Sequence, residues 1–101
     1  MNVSRTIHRQ IFISGHVQGV FFRDSTQQIA RQLKLSGGVR NLIDGRVEVL
    51  VSGDESAVQS LIKWLEIGPK FAKVSTIEVI DCVVDYSQQK QNGSFDVWPT
   101  K

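Results

Sequence analysis

Cysteine, proline and an excess of either charge are all scarce in this chain. One cysteine, Cys82, among 101 residues cannot make an internal disulfide framework, which excludes a small bridge-stapled secreted scaffold and suits a reducing compartment. Two prolines and a 41% share of hydrophobic residues exclude a Pro-rich or low-complexity chain unable to bury a core. Lysine and arginine number 12 against 10 aspartates and glutamates, a net charge of +2, far from the concentrated basic face that binds nucleic acid. No run approaches the roughly 18 apolar residues of a membrane-spanning helix, and residues 1–10 lack the apolar centre of a signal peptide. The expected setting is therefore the cytosol, with neither a membrane nor a nucleic acid as partner. His8 and His16, like Asp44, Asp54 and Glu55, do not fall at metal-ligand spacings, so no metal or cofactor is expected. The length suits one domain, residues 1–101, with a single core.

What the chain does have is concentrated in residues 14–23, Ser14-Gly15-His16-Val17-Gln18-Gly19-Val20-Phe21-Phe22-Arg23. Upstream, Gln10-Ile11-Phe12-Ile13 is a short strand-like apolar run; downstream, Phe22, Ile29, Ala30 and Leu33 fall on one helical face. The segment between them is a glycine-interrupted loop at a strand-to-helix junction. There the first helical N–H groups lack intrahelical partners and the helix dipole is positive, so main-chain donors from Gln18, Gly19, Val20, Phe21 and Phe22 can hold a phosphate. Arg23 adds a planar, permanently charged fork matching two phosphate oxygens.

A second segment, Gly38-Val39-Arg40-Asn41 followed by Val47-Glu48-Val49-Leu50-Val51, reads as two strands joined by a tight turn at Asp44-Gly45. Ser52-Gly53-Asp54-Glu55 has the spacing of a capping box. The helix it announces carries Val58, Leu61, Ile62 and Leu65 and ends at Gly68-Pro69. A β-favouring run follows over residues 74–84, then a polar loop over 87–93 and a last strand over 95–98. The order is βαββαβ plus a terminal strand. This is an α+β, ferredoxin-like two-layer sandwich, with an antiparallel sheet and two helices on one face. In the split βαβ unit, strands one and two lie parallel with strand three between them. Their C-terminal ends share one edge of the sheet, which brings Arg23 and Asn41 together.

These residues carry a family resemblance. Residues 15–23 resemble the first acylphosphatase signature, written G-x-V-Q-G-V-x-F-R, and Gly38-Val39-Arg40-Asn41 with Asp44-Gly45 resembles the second. The similarity extends to the Trp64-Leu65 helix end, Gly68-Pro69 and Ala72-Lys73-Val74. It implies a small cytosolic, cofactor-free enzyme that hydrolyses acyl phosphates, is inhibited by its product inorganic phosphate and acts as a monomer. Its phosphate-binding arginine falls on Arg23 and its water-orienting asparagine on Asn41. Three positions depart from the pattern: Phe21 stands where glycine is most frequent, His16 where arginine is common, and Gly38 where an aromatic residue is usual.

Chemistry makes so spare a site sufficient. An acyl phosphate expels a carboxylate whose conjugate acid has a pKa near 4, so it departs without a proton and needs no general acid. Phosphoryl transfer then depends on positioning and on stabilising the equatorial oxygens. The other chemistry-bearing residues have plainer readings. His16 reads as a surface-loop histidine, Cys82 as a small core residue, and Asp24-Ser25-Thr26-Gln27 as a helix N-terminus with Gln27 at the capping distance. Trp64 and Phe71 read as core or boundary packing. Two rivals share the architecture. An RNA-recognition domain needs aromatics on its third strand, and Arg46-Val47-Glu48-Val49-Leu50-Val51 has none. A non-catalytic anion-binding module is the alternative against which Arg23 and Asn41 weigh.

Overall fold

A computed structural model of the chain describes residues 5–82 and 94–101. The end of the run over 74–84 and the polar stretch 87–93 lie outside the described residues. The elements are β1 (Thr6–His16), α1 (Phe22–Gln32), β2 (Ser36–Asn41), β3 (Val47–Asp54), α2 (Glu55–Leu65), β4 (Lys73–Asp81) and β5 (Phe95–Val97). They form one sheet in the order β4-β1-β3-β2-β5. Because β3 runs antiparallel to both β1 and β2, those two lie parallel, as the split βαβ reading requires. The terminal strand joins β2 in parallel, Gly37 opposite Phe95 and Val39 opposite Val97, so the sheet is mixed rather than wholly antiparallel.

Strand alternation builds the core. Ile11, Ile13, Val47, Val49 and Val51 are fully buried toward the helices. There they meet Phe22 and Ala30 of α1 and Val58, Leu61 and Leu65 of α2, each large side chain contributing about 1.5–3 kcal/mol. The alternate positions face the other way and are not simply solvated. Glu48, only 5% exposed, accepts from Gln10 Nε2 and from Arg40 Nε, both at 2.7 Å. Such pairing is what lets a carboxylate be buried. Gly38 leaves room on this side for the Trp98 ring, since a Cβ there would lie 2.2 Å from it. Trp98 thus supplies an aromatic ring where the sequence pattern leads one to expect one on residue 38.

Local chemistry corrects several boundaries. Helix α1 starts at Phe22, with Phe21 as its N-cap and no side-chain cap. Gln27 instead donates to the Phe95 carbonyl, and the Thr26 hydroxyl to the Phe22 carbonyl. The capping box does not form: Ser52 is still in β3, hydrogen-bonded to His8 Nδ1 at 2.8 Å. Helix α2 starts after Asp54, and Glu55 pairs with Arg5 at 2.7 Å. Cys82 is half-buried beyond the end of β4 rather than in the core, because β4 is an edge strand whose residues are mostly exposed. Trp64 does pack, its ring 5.8 Å from that of Phe22, but Phe71 is 69% exposed.

Candidate active site

The loop after β1 is shaped by a near-collision of backbones. The β1–β4 register shifts between Ser14 and Gly15. A Cβ on Gly15, at φ 124°, would lie 2.2 Å from the Lys73 carbonyl oxygen, so only glycine fits there. The chain then turns through Gly19 at φ 75° and Phe21 at φ 62° into α1. Val17 and Val20 anchor this loop in the core. Among the described residues no backbone carbonyl accepts from the loop N–H groups of Gln18 to Phe22, which leaves these donors available at the positive end of the helix.

The hairpin supplies the opposing wall. Its connection spans three residues rather than two. Leu42 N–H donates to the Arg46 carbonyl and Gly45 N–H to that of Leu42, with Gly45 at φ 99°, the pattern of a type I turn closed by a left-handed residue. The Arg46 side chain and then its backbone N–H hold the exposed Asp44 carboxyl below the usual carboxylate range. The same contact raises Arg46. Beside the turn, Lys101 N–H bonds the Asn41 carbonyl and its own carbonyl accepts from Ile43 N–H, which steadies the backbone on both sides of Leu42.

Loop and hairpin enclose a cavity of about 250 Å³ lined by Val17, Gly19, Phe21, Phe22, Arg23, Asp24 and Asn41. Arg23, half-buried in the first turn of α1, has no hydrogen bond or ion pair from its guanidinium among the described residues. Asn41 Oδ1 is buried with no hydrogen-bond partner. Buried polar atoms are rarely left so. An unpaired cation, a bed of free amides and an orphan acceptor therefore share one space, fit for an anion and a water molecule. Of the loop residues, Gly19, Phe21 and Phe22 line the cavity, whereas Val20 turns into the core and His16 is exposed outside it. Sequence reasoning passed over Val17 and gave Asp24 a capping role; its place next to Arg23 in the first helical turn is the signal that puts it at the cavity.

Gln18 acts through its side chain. Its Nε2 donates to the carbonyls of Leu42 at 2.8 Å and Arg46 at 2.9 Å, tying the glycine loop to the turn that follows Asn41. Gln18→Ala is expected to cost about 1–2 kcal/mol of stability and to lower kcat about tenfold by loosening the register between the two walls. Thermal unfolding and steady-state kinetics check this; an unchanged kcat would detach Gln18 from the alignment of the site.

Fold and cavity together define a class: a ferredoxin-like α+β domain with a cavity, lined by Arg23 and Asn41, where strand β1 meets helix α1. The acylphosphatase family model matches residues 9–97, and the chain belongs to that family. It is 56% identical over 71 residues to an acylphosphatase of Alkalilimnicola ehrlichii, 70% of this chain and 80% of that protein. It superposes on an acylphosphatase structure from Coxiella burnetii with a TM-score of 0.82 at 38% identity, covering 92% of this chain and 93% of that one. The Bacillus subtilis acylphosphatase structure matches equally well, at 0.82 and 36% identity over 91% and 98% of the two chains.

Proposed function

We propose that residues 1–101 act as one acylphosphatase domain, hydrolysing small acyl phosphates to a carboxylate and inorganic phosphate by metal-independent attack of water. The observation that carries this reading is the unpaired Arg23 guanidinium and the orphan Asn41 oxygen lining one cavity. In this mechanism Arg23 and the N–H groups of Gln18, Gly19, Val20, Phe21 and Phe22 hold the phosphoryl oxygens, and spread the charge that builds on them as the bond loosens. A water donates one hydrogen to Asn41 Oδ1 and directs a lone pair at phosphorus. The new bond forms between that water oxygen and phosphorus; the bond from phosphorus to the carboxylate oxygen breaks, and the electron pair leaves with the carboxylate. The water's proton passes to a phosphoryl oxygen. Leaving-group quality sets the substrate class, because phosphate esters need acid or metal help to expel an alkoxide. The enzyme works as a cytosolic monomer.

Turnover of acetyl and benzoyl phosphate is the direct test. Hydrolysis should continue undiminished in excess chelator, with inorganic phosphate competing for the loop. Activity lost to chelator and restored by a divalent ion would overturn the metal-free mechanism, and absence of turnover with phosphate still bound would leave a non-catalytic anion-binding module.

A further inference from the structure

The end of β2 that carries Asn41 is held on two sides. On one, Val47 of β3 lies opposite Asn41. On the other, residues 98–101 run on along β2 past Val97, the last residue of β5. Trp98 N–H donates to the Val39 carbonyl at 2.8 Å, Lys101 N–H to the Asn41 carbonyl at 3.1 Å, and Ile43 N–H to the Lys101 carbonyl at 2.9 Å. Pro99, Thr100 and Lys101 are exposed, whereas Trp98 is half-buried. Its ring fills the space that Gly38 leaves open, where a Cβ would collide with it. The Arg40 guanidinium lies 5.6 Å from the ring centre while bonded to the buried Glu48. Taking Proposed function as its footing, we propose that Trp98 is a positioning residue for the reaction. Its ring pegs residues 98–101 to the sheet, and they fix the backbone that carries Asn41.

Strand alternation lets the peg act from behind. Gly38 and Arg40 belong to one face of β2, Val39 and Asn41 to the other, so the ring works through Asn41 rather than on the substrate. Asn41 is the last residue of its strand, where pairing frays most easily. The adjoining β5 contributes only three residues of parallel pairing, so without the ring the bonds to the Val39 and Asn41 carbonyls rest on a stretch with no packed side chain. Small losses of register matter here, because about 1 Å of misplacement can cost about a hundredfold in rate. Arg23 and the loop amides stand elsewhere in the chain, between β1 and α1, so binding of the anion should be spared.

The test compares Trp98→Ala, Trp98→Phe and the double variant Gly38→Phe/Trp98→Ala with wild type. Gly38 has a negative φ, so the phenyl ring of the double variant can refill the vacated space from β2 itself. Packing is then restored, but not the tie to residues 98–101. In Trp98→Ala, kcat for benzoyl phosphate should fall about tenfold while the phosphate inhibition constant stays within about twofold of wild type. Amide hydrogen exchange at Ile43 and Lys101 should quicken. Trp98→Phe should keep most of kcat. In the double variant the unfolding midpoint should recover while kcat stays low. Recovery of kcat along with the midpoint overturns the proposal, since the ring then only fills space. So does an unchanged kcat in folded Trp98→Ala, or phosphate binding weakened by the same factor as kcat. Should Trp98→Ala fail to fold, kcat and phosphate inhibition in the double variant decide between these outcomes. If wild type hydrolyses no acyl phosphate yet exchange at Ile43 and Lys101 quickens in Trp98→Ala, the peg stands and the catalytic reading falls.

Discussion

Arg23→Ala is expected to lose phosphate inhibition and turnover together, kcat/KM falling at least about a hundredfold, the scale for removing one preorganised donor. Arg23 has no acceptor among the described residues, so its removal deprives no other group of a partner. The fold should keep its stability within about 0.5 kcal/mol. Loss of function with an unmoved unfolding midpoint is the signature of a binding group, and it separates Arg23 from Gln18, where stability and rate should fall together. Arg23→Lys should rescue poorly. Its ammonium is a compact, strongly hydrated point charge that cannot span two phosphoryl oxygens. Near-normal hydrolysis by Arg23→Ala would sink the assignment of Arg23 as the anion anchor.

For Asn41 the expected result is a separation of chemistry from binding. Asn41→Ala should lower kcat on the order of a hundredfold while phosphate inhibition stays nearly intact, because in the proposed mechanism Arg23 and the loop amides hold the anion and Asn41 holds the water. Asn41→Asp is nearly isosteric and keeps an oxygen where the orphan Oδ1 lies. A need for side-chain size, or for a base, makes that variant active; a neutral acceptor beside a phosphate near two negative charges makes it inactive. The second outcome is expected. A like-charge pair about 4 Å apart at an effective dielectric near 20 costs about 4 kcal/mol, and the carboxylate weakens phosphate binding besides. Measuring kcat, KM and the phosphate inhibition constant for the three proteins decides the point. An active Asn41→Asp enzyme would establish general-base catalysis instead, and a folded Asn41→Ala that no longer binds phosphate would move Asn41 into the anion cradle.

The meeting of Arg23 and Asn41 at one cavity is legible in the sequence because it rests on rules with few exceptions. A βαβ crossover is right-handed, strand alternation identifies Val47, Val49 and Val51, and Asp44-Gly45 marks a chain reversal. What stayed hidden depends on energies that no window of sequence contains. Helix α1 begins at Phe22 because Phe21 adopts a conformation its own propensity opposes, so the better capping residues Asp24 and Ser25 lie inside the first turn. The spacing of Ser52 and Glu55 fits a capping box, but the Ser52 hydroxyl is already bonded to His8, a residue far away in sequence. Periodicity cannot tell a central strand from an edge strand, which is why Cys82 reads as a core residue. Nor does any local signal announce that β5 runs parallel to β2; its trace is the missing side chain at Gly38, whose space the Trp98 ring fills.

The sheet order sets the pace at which the molecule assembles itself. Strand β1 finds Asp54 opposite Thr6 on one side and Asp81 opposite Arg9 on the other, so both its neighbours arrive from distant parts of the chain. Closing such large loops costs entropy before any pairing rewards it, which places refolding in the slower range of small domains, about milliseconds to seconds. The two helices can flicker into existence long before. Neither contains a working pocket by itself, because Arg23 stands on α1 and Asn41 on the strand that must dock beside β3. In a refolding experiment helical ellipticity should therefore return first, with hydrolytic activity rising in the last phase, together with burial of Trp64 against Phe22.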